Sequence, residues 1–155
     1  MVVAGRNVSL AAIIAGIGAI VAIVVTPLTW ASATIGGETQ DLKGFDSGMN
    51  GGLAEVILGI IALVLVAGWI LNVKLPSVAG LPTLALLTLV AGVLILGVAT
   101  AVYFTNWFGE ESLSDMADMM TKAGGSVSLG LAFFLEVIAG ILVIVGGGWG
   151  LIKKS

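Results

Sequence analysis

Four long apolar stretches, almost free of charge, leave this chain few ways to fold other than as helices crossing a bilayer. No charged residue occurs from Asn7 to Gly37, from Val56 to Val73 or from Leu75 to Gly109, and between Lys122 and Lys153 there is only Glu136. A hydrocarbon core about 30 Å thick needs about 20 apolar residues in a helix. Spans are therefore predicted at 8–30, 53–72, 82–104 and 127–152, with longer connections at 31–52 and 105–126. The expected fold is all-α, a four-helix transmembrane bundle forming one integral domain over residues 1–155. Composition agrees, since 10 % of residues are charged against about 25 % in soluble domains.

Aromatic and basic residues give this bundle an orientation. Trp30 and Trp107 fall at one side and Trp69 and Trp149 at the other, as interfacial anchors do. Arg6, Lys74, Lys153 and Lys154 lie in the N-terminus, the second loop and the C-terminus, with no acid among them. The positive-inside rule makes those segments cytoplasmic in a multi-pass protein of the cell membrane. Ala31-Ser32-Ala33 has the look of a signal-peptidase site, but the apolar run before it is longer than a signal core of about 7–15 residues. The first span is read as retained.

The first and third loops are then external and acidic. Glu38, Asp41, Asp46, Glu110, Glu111, Asp115 and Asp118 face only Lys43 and Lys122, a formal charge of −5 from seven acids and two lysines. Loop one, rich in Gly, Thr and Asp, suits a small β-hairpin. In loop three, Leu113, Met116, Ala117 and Met120 recur at helical spacing opposite Glu111, Asp115, Asp118 and Lys122. That pattern predicts a short amphipathic surface helix with a partner-facing or membrane-facing stripe, opened by Ser112 and Asp115 as a capping pair.

Metal chemistry finds little support. Met116, Met119 and Met120 beside Asp115 and Asp118 offer soft ligands for Cu(I), yet a methionine stripe on an amphipathic helix more often meets lipid or protein. Asp46-x-Gly48-x-Asn50-Gly51 has Ile57 where a calcium loop puts its bidentate glutamate. With no Cys and no His, disulfides, zinc and histidine-ligated haem drop out. No nucleophile–base pair or phosphate-binding loop stands out. The chain is expected to be non-catalytic, without metal, cofactor or nucleic-acid partner, and its acidic external face would suit a basic partner or divalent cations.

Two glutamates are the main clue to chemistry. Glu55-Val-Ile-Leu-Gly-Ile-Ile and Glu136-Val-Ile-Ala-Gly-Ile-Leu sit in matching surroundings, and the two halves of the chain read as a duplicated hairpin. A carboxylate in a span is costly, so it faces protein or water and often marks a site. Trp69 and Trp149 are 14 and 13 residues further on, about 20 Å at 1.5 Å per residue, which puts both carboxyls in the outer half of the bilayer. Three readings compete: hydrogen bonding to polar groups such as Thr26, Thr100 or Tyr103, a pair that shares a proton or binds a cation, and a proton-carrying role.

Small residues suit close helix contact: Ala11, Ala15 and Ala19 beside Ala12 and Gly16 in the first span, and Gly146-x-x-x-Gly150 in the fourth. They serve packing within the chain or a homo-oligomeric seam. The step Pro27-Leu28-Thr29-Trp30, followed by Lys43-Gly44-Phe45-Asp46-Ser47-Gly48, resembles small tetraspan membrane proteins, including claudin-like ones and prokaryotic four-helix families. The paired cysteines of claudins have no counterpart here. That resemblance implies an architecture and a structural or accessory role among lipids, in a homo-oligomer or larger membrane complex. The alternative is a proton- or cation-handling component using Glu55 and Glu136.

Overall fold

The computed structural model describes residues 2–3, 6–7, 9–43, 51–77, 82–104 and 113–153. Trp107, Ser112, Glu110, Glu111 and the calcium-like segment through Asp46, Gly48 and Asn50 lie outside the described residues, as do the side chains of Tyr103, Leu113, Asp115, Met116 and Ala117. In chain order the elements are β1 (Val2–Val3), β2 (Arg6–Asn7), α1 (Leu10–Val24), β3 (Thr29–Ile35), β4 (Glu38–Lys43), α2 (Gly51–Ile70), α3 (Thr83–Phe104), α4 (Leu113–Lys122), β5 (Ser126–Leu129) and α5 (Leu131–Lys153).

The protein is mostly helical, and three helices are long and apolar enough to cross a membrane: Gly52–Ile70, Thr83–Ala101 and Leu131–Ile152, with mean hydropathies of 2.6, 2.5 and 2.3. Their outer faces remain apolar. Ile57, Ile60, Ile61 and Val64 on α2, Val90, Val93 and Leu94 on α3, and Ile138, Ile141 and Val145 on α5 are all exposed. Water would not tolerate so continuous an apolar surface, so this is a membrane protein.

The first predicted span needs correction. The run at 8–30 holds a helix of 15 residues, α1, followed by a turn and the start of a strand. Ser9 caps its start, its hydroxyl accepting from the Ala12 amide at 3.1 Å. Its end follows from the sequence Thr26-Pro27. Proline has no amide hydrogen to continue the ladder and disfavours helical geometry in the residue before it. Val25 N–H still reaches the Val21 carbonyl, Leu28 N–H closes a turn onto Val25, and the chain becomes extended at Thr29. At 1.5 Å per residue α1 is about 22 Å long, shorter than the bilayer core.

The fourth span also starts later than expected. Residues 126–129 form β5, and α5 begins at Leu131 after Gly130. Together with the hairpin of β3 and β4, β5 makes a three-stranded antiparallel sheet in the order β4-β3-β5. Ser32 pairs with Asp41 and Ser128, and Thr34 with Thr39 and Ser126. Gly36 and Gly37 supply the positive φ angles of the two-residue hairpin turn. An expected loop hairpin is thus a sheet that reaches back to include Trp30. The amphipathic helix expected in the third loop is α4, which packs on β5 and β3.

α1 and α3 each pack against both α2 and α5, so α2 and α5 stand at opposite corners of the packed helices. Glycine sets the closest approaches. A Cβ on Gly146 would stand 2.6 Å from the Ala11 carbonyl oxygen and 2.7 Å from the Ala15 Cβ, and one on Gly92 would stand 2.7 Å from the Ile144 amide. Gly150 lies against the ring of Trp69. The Gly146-x-x-x-Gly150 face is therefore occupied within the chain by α1 and α2. α2 ends in an αL residue, Asn72 at φ 57°, with Val73 N–H returning to the Gly68 carbonyl at 2.9 Å, a Schellman closure.

A buried carboxyl pair between two apolar layers

Glu55 is the fifth residue of α2 and Glu136 the sixth of α5, so both sit near the sheet-bearing end of their helices. Each is fully buried. Because α2 and α5 occupy opposite corners, their side chains point inward from either side, and the two carboxyls meet as neighbours. Glu55 also approaches the backbone of Ala99 on α3. No basic residue occurs in any of these helices before Lys153, so among the described side chains nothing of opposite charge shares the site.

One described side chain donates to the pair. The Thr26 hydroxyl, just past the end of α1, lies 3.1 Å from Glu136 Oε1 and 2.8 Å from the Ala22 carbonyl oxygen. Both oxygens of Glu55 and Oε2 of Glu136 find no donor among the described residues. A buried carboxylate left so poorly solvated is costly. Two of them side by side, without a cation, are costlier still, because like charges repel most strongly where water is excluded.

Apolar layers close the site on both sides along the helices. Toward the sheet lie Val25, Trp30, Ala31, Ala132 and Phe133. Trp30 is fully buried and meets Phe133 edge-on, with ring centroids 6.3 Å apart. Its indole N–H donates to the Thr26 carbonyl at 3.1 Å, and its own carbonyl accepts from the Gly130 amide at 2.7 Å. On the other side stand Ala19, Ala22, Ala62, Ala91, Ile95, Ala139 and Val143. Beyond them a third cluster, including Ala11, Ala15, Val66, Trp69 and Ala85, closes the far end.

The residues singled out from the sequence divide clearly. Thr26, Glu55 and Glu136 come together. Thr100 is exposed and donates back to the Leu96 carbonyl at 2.8 Å, so it serves its own helix. Trp30, expected as an interfacial anchor, instead seals the carboxyl site, and Trp69 is 9 % exposed and buried against α5 and Ala85. Trp149 is half-buried in the same cluster. Met120 is partly buried and helps line a shallow pocket of about 200 Å³ with Ala33, Ile35, Glu38 and Gln40. Sequence reasoning missed Ala22 and Phe133. The spacing of Ala22 four residues before Thr26 was the available signal, because a Thr hydroxyl often bonds the carbonyl one turn back.

A larger depression of about 380 Å³ opens at the other end, between the end of α2 and the start of α3, with Lys74 on its rim. It does not reach the carboxyls. Among the described residues no group of three or more acidic, His or Cys side chains gathers as a metal site. Comparison with models of known protein families finds no match for this chain, and comparison with curated proteins finds none either.

Proposed function

We propose that this is a multi-pass membrane protein whose paired carboxyls, Glu55 and Glu136, form a proton- or cation-handling site. The observation that carries this reading is the meeting of two fully buried glutamates from opposite helices, with one hydroxyl donor, Thr26, on Glu136. A purely structural role would be served better by apolar side chains, since replacing buried ionic groups with packed hydrophobic ones is often neutral or stabilising. Keeping two costly carboxyls in contact fits a site that gains and loses a positive charge.

In this reading α1 is the fourth crossing, completed by the turn at residues 25–28 and the sheet above it. The N-terminus, the connection through Lys74 and the C-terminus face the cytoplasm, as Arg6, Lys74, Lys153 and Lys154 favour. The acidic sheet and α4 face outward. Reconstitution in liposomes tests the function. Glu136→Gln should abolish a pH- or cation-dependent flux while leaving the helical content intact, and unchanged flux in that variant would overturn the proposal.

A structural or accessory subunit remains a second reading, favoured by the long uncovered face of α2 through Leu53, Ile57, Ile60, Ile61 and Val64. There a partner helix would replace lipid. Purification in mild detergent should then return a fixed oligomer or a defined complex, and a lone monomer would count against it.

A further inference from the structure

Thr26 has one hydroxyl hydrogen and two acceptors within reach, the Ala22 carbonyl at 2.8 Å and Glu136 Oε1 at 3.1 Å. It can serve only one at a time. The Ala22 carbonyl can only accept, whereas a carboxyl can donate once it carries a proton. Resting on the carboxyl-pair reading above, we propose that Glu55, Glu136, Thr26 and the Ala22 carbonyl form a proton chain. Its ligand is a single exchangeable proton, and its direction reverses at Thr26 when that proton leaves.

With both glutamates protonated, every hydrogen has an acceptor. Glu55 donates to Glu136 Oε2, Glu136 donates through Oε1 to Thr26, and Thr26 donates to Ala22. The three buried carboxyl oxygens otherwise without partners are then reduced to one, on Glu55. When Glu136 releases its proton to solvent, the resulting carboxylate accepts from Glu55 on one side and from Thr26, turned away from Ala22, on the other. The Glu55 proton stays in place, so one proton leaves and one negative charge remains. Two hydrogen bonds then stabilise that charge, which is how buried anions survive.

The donor set speaks against a metal ion. Calcium takes 6–8 oxygens, and magnesium demands six in near-ideal geometry. Here the described oxygens are the four of the carboxyls and the Thr26 hydroxyl, with the Ala22 carbonyl already engaged by that hydroxyl. Apolar layers above and below leave no hydrated shell to complete the coordination. Among the described side chains no other titratable group faces the pair. α1 and α3 contribute no charged residue, and β3 contributes none before Glu38 begins β4.

Infrared spectroscopy of the protein in lipid, in water and in deuterium oxide, tests the chain directly. Above about pH 6, exposed carboxylates with pKa values near 4 are ionised, so the protonated-carboxyl stretch reports on the pair. The expected result is a deuterium-sensitive band that diminishes as pH rises and does not move with sodium, potassium or calcium concentration. Glu136→Gln should remove the pH-dependent part and leave the Glu55 part. Thr26→Ala should shift the Glu136 component, and Thr26→Ser, which keeps the hydroxyl, should restore it. A band displaced by added cations, no protonated band at all, or a Glu136→Gln variant that titrates like the wild type would each overturn the chain. Absence of any flux from the wild-type protein in liposomes, with the band behaving as expected, would count against transport alone.

Discussion

Glu55 is the residue whose replacement says most about why the pair exists. The apolar layers around it would accept a hydrocarbon side chain, but its removal alone would strip Glu136 of its carboxyl neighbour. Replacing both carboxyls together, Glu55→Leu with Glu136→Leu, is therefore expected to leave stability unchanged or raise it by about 1–4 kcal/mol, as for other buried ionic pairs replaced by apolar groups. Thermal unfolding in detergent measures this, and a clear loss of stability would point to a structural role instead. Trp30 should behave in the opposite way. Trp30→Ala empties the layer between the sheet and the carboxyls and should cost about 3–5 kcal/mol. Trp30→Phe, which keeps most of the ring and loses the bond to the Thr26 carbonyl, should cost about 1 kcal/mol.

At the level of elements, the helix contacts divide the glycines into two kinds. Gly146 leaves no room for a Cβ beside Ala11 and Ala15, whereas Gly97 has nothing within 4 Å of where one would be. Gly146→Val should destabilise by at least the ~1–3 kcal/mol typical of overpacking, while Gly97→Ala should be neutral or stabilising by up to ~1 kcal/mol. Comparing the two variants by thermal unfolding checks that tight contact, and not glycine itself, is what matters. The middle spans were legible because charge gaps and proline or asparagine mark their ends: 53–72 became Gly51–Ile70, and 82–104 became Thr83–Phe104. The outer ones were less so. Hydropathy runs unbroken through Pro27 to Trp30, so it hides the change from helix to strand, and only the Thr26-Pro27 step announces it. Ser126-Val127-Ser128-Leu129 alternates as a strand should, but a four-residue strand earns its place by pairing with β3, which no local pattern displays.

Taken as a whole molecule, the chain segregates its charge. The basic residues Arg6, Lys74 and Lys153 belong to the end where α1 and α3 begin and α2 and α5 finish, while Glu38, Asp41 and Asp118 belong to the sheet end. The proposed orientation puts the sheet outside. Because the chain has no cysteine, Thr39→Cys and Lys74→Cys provide clean single labels. A membrane-impermeant thiol reagent should reach Thr39→Cys in intact cells, and Lys74→Cys only after permeabilisation. The converse pattern would invert the topology. What neither end of the molecule revealed beforehand was that the two glutamates would meet, since sequence matching places them at similar depth but says nothing of which corners their helices occupy. Their meeting can be measured with a double-mutant cycle on thermal or denaturant stability in lipid or detergent, using Glu55→Gln, Glu136→Gln and both together. Carboxyls in contact predict a coupling of about 0.5–3 kcal/mol, whereas effects that add within about 0.3–0.5 kcal/mol would mean the two side chains never touch.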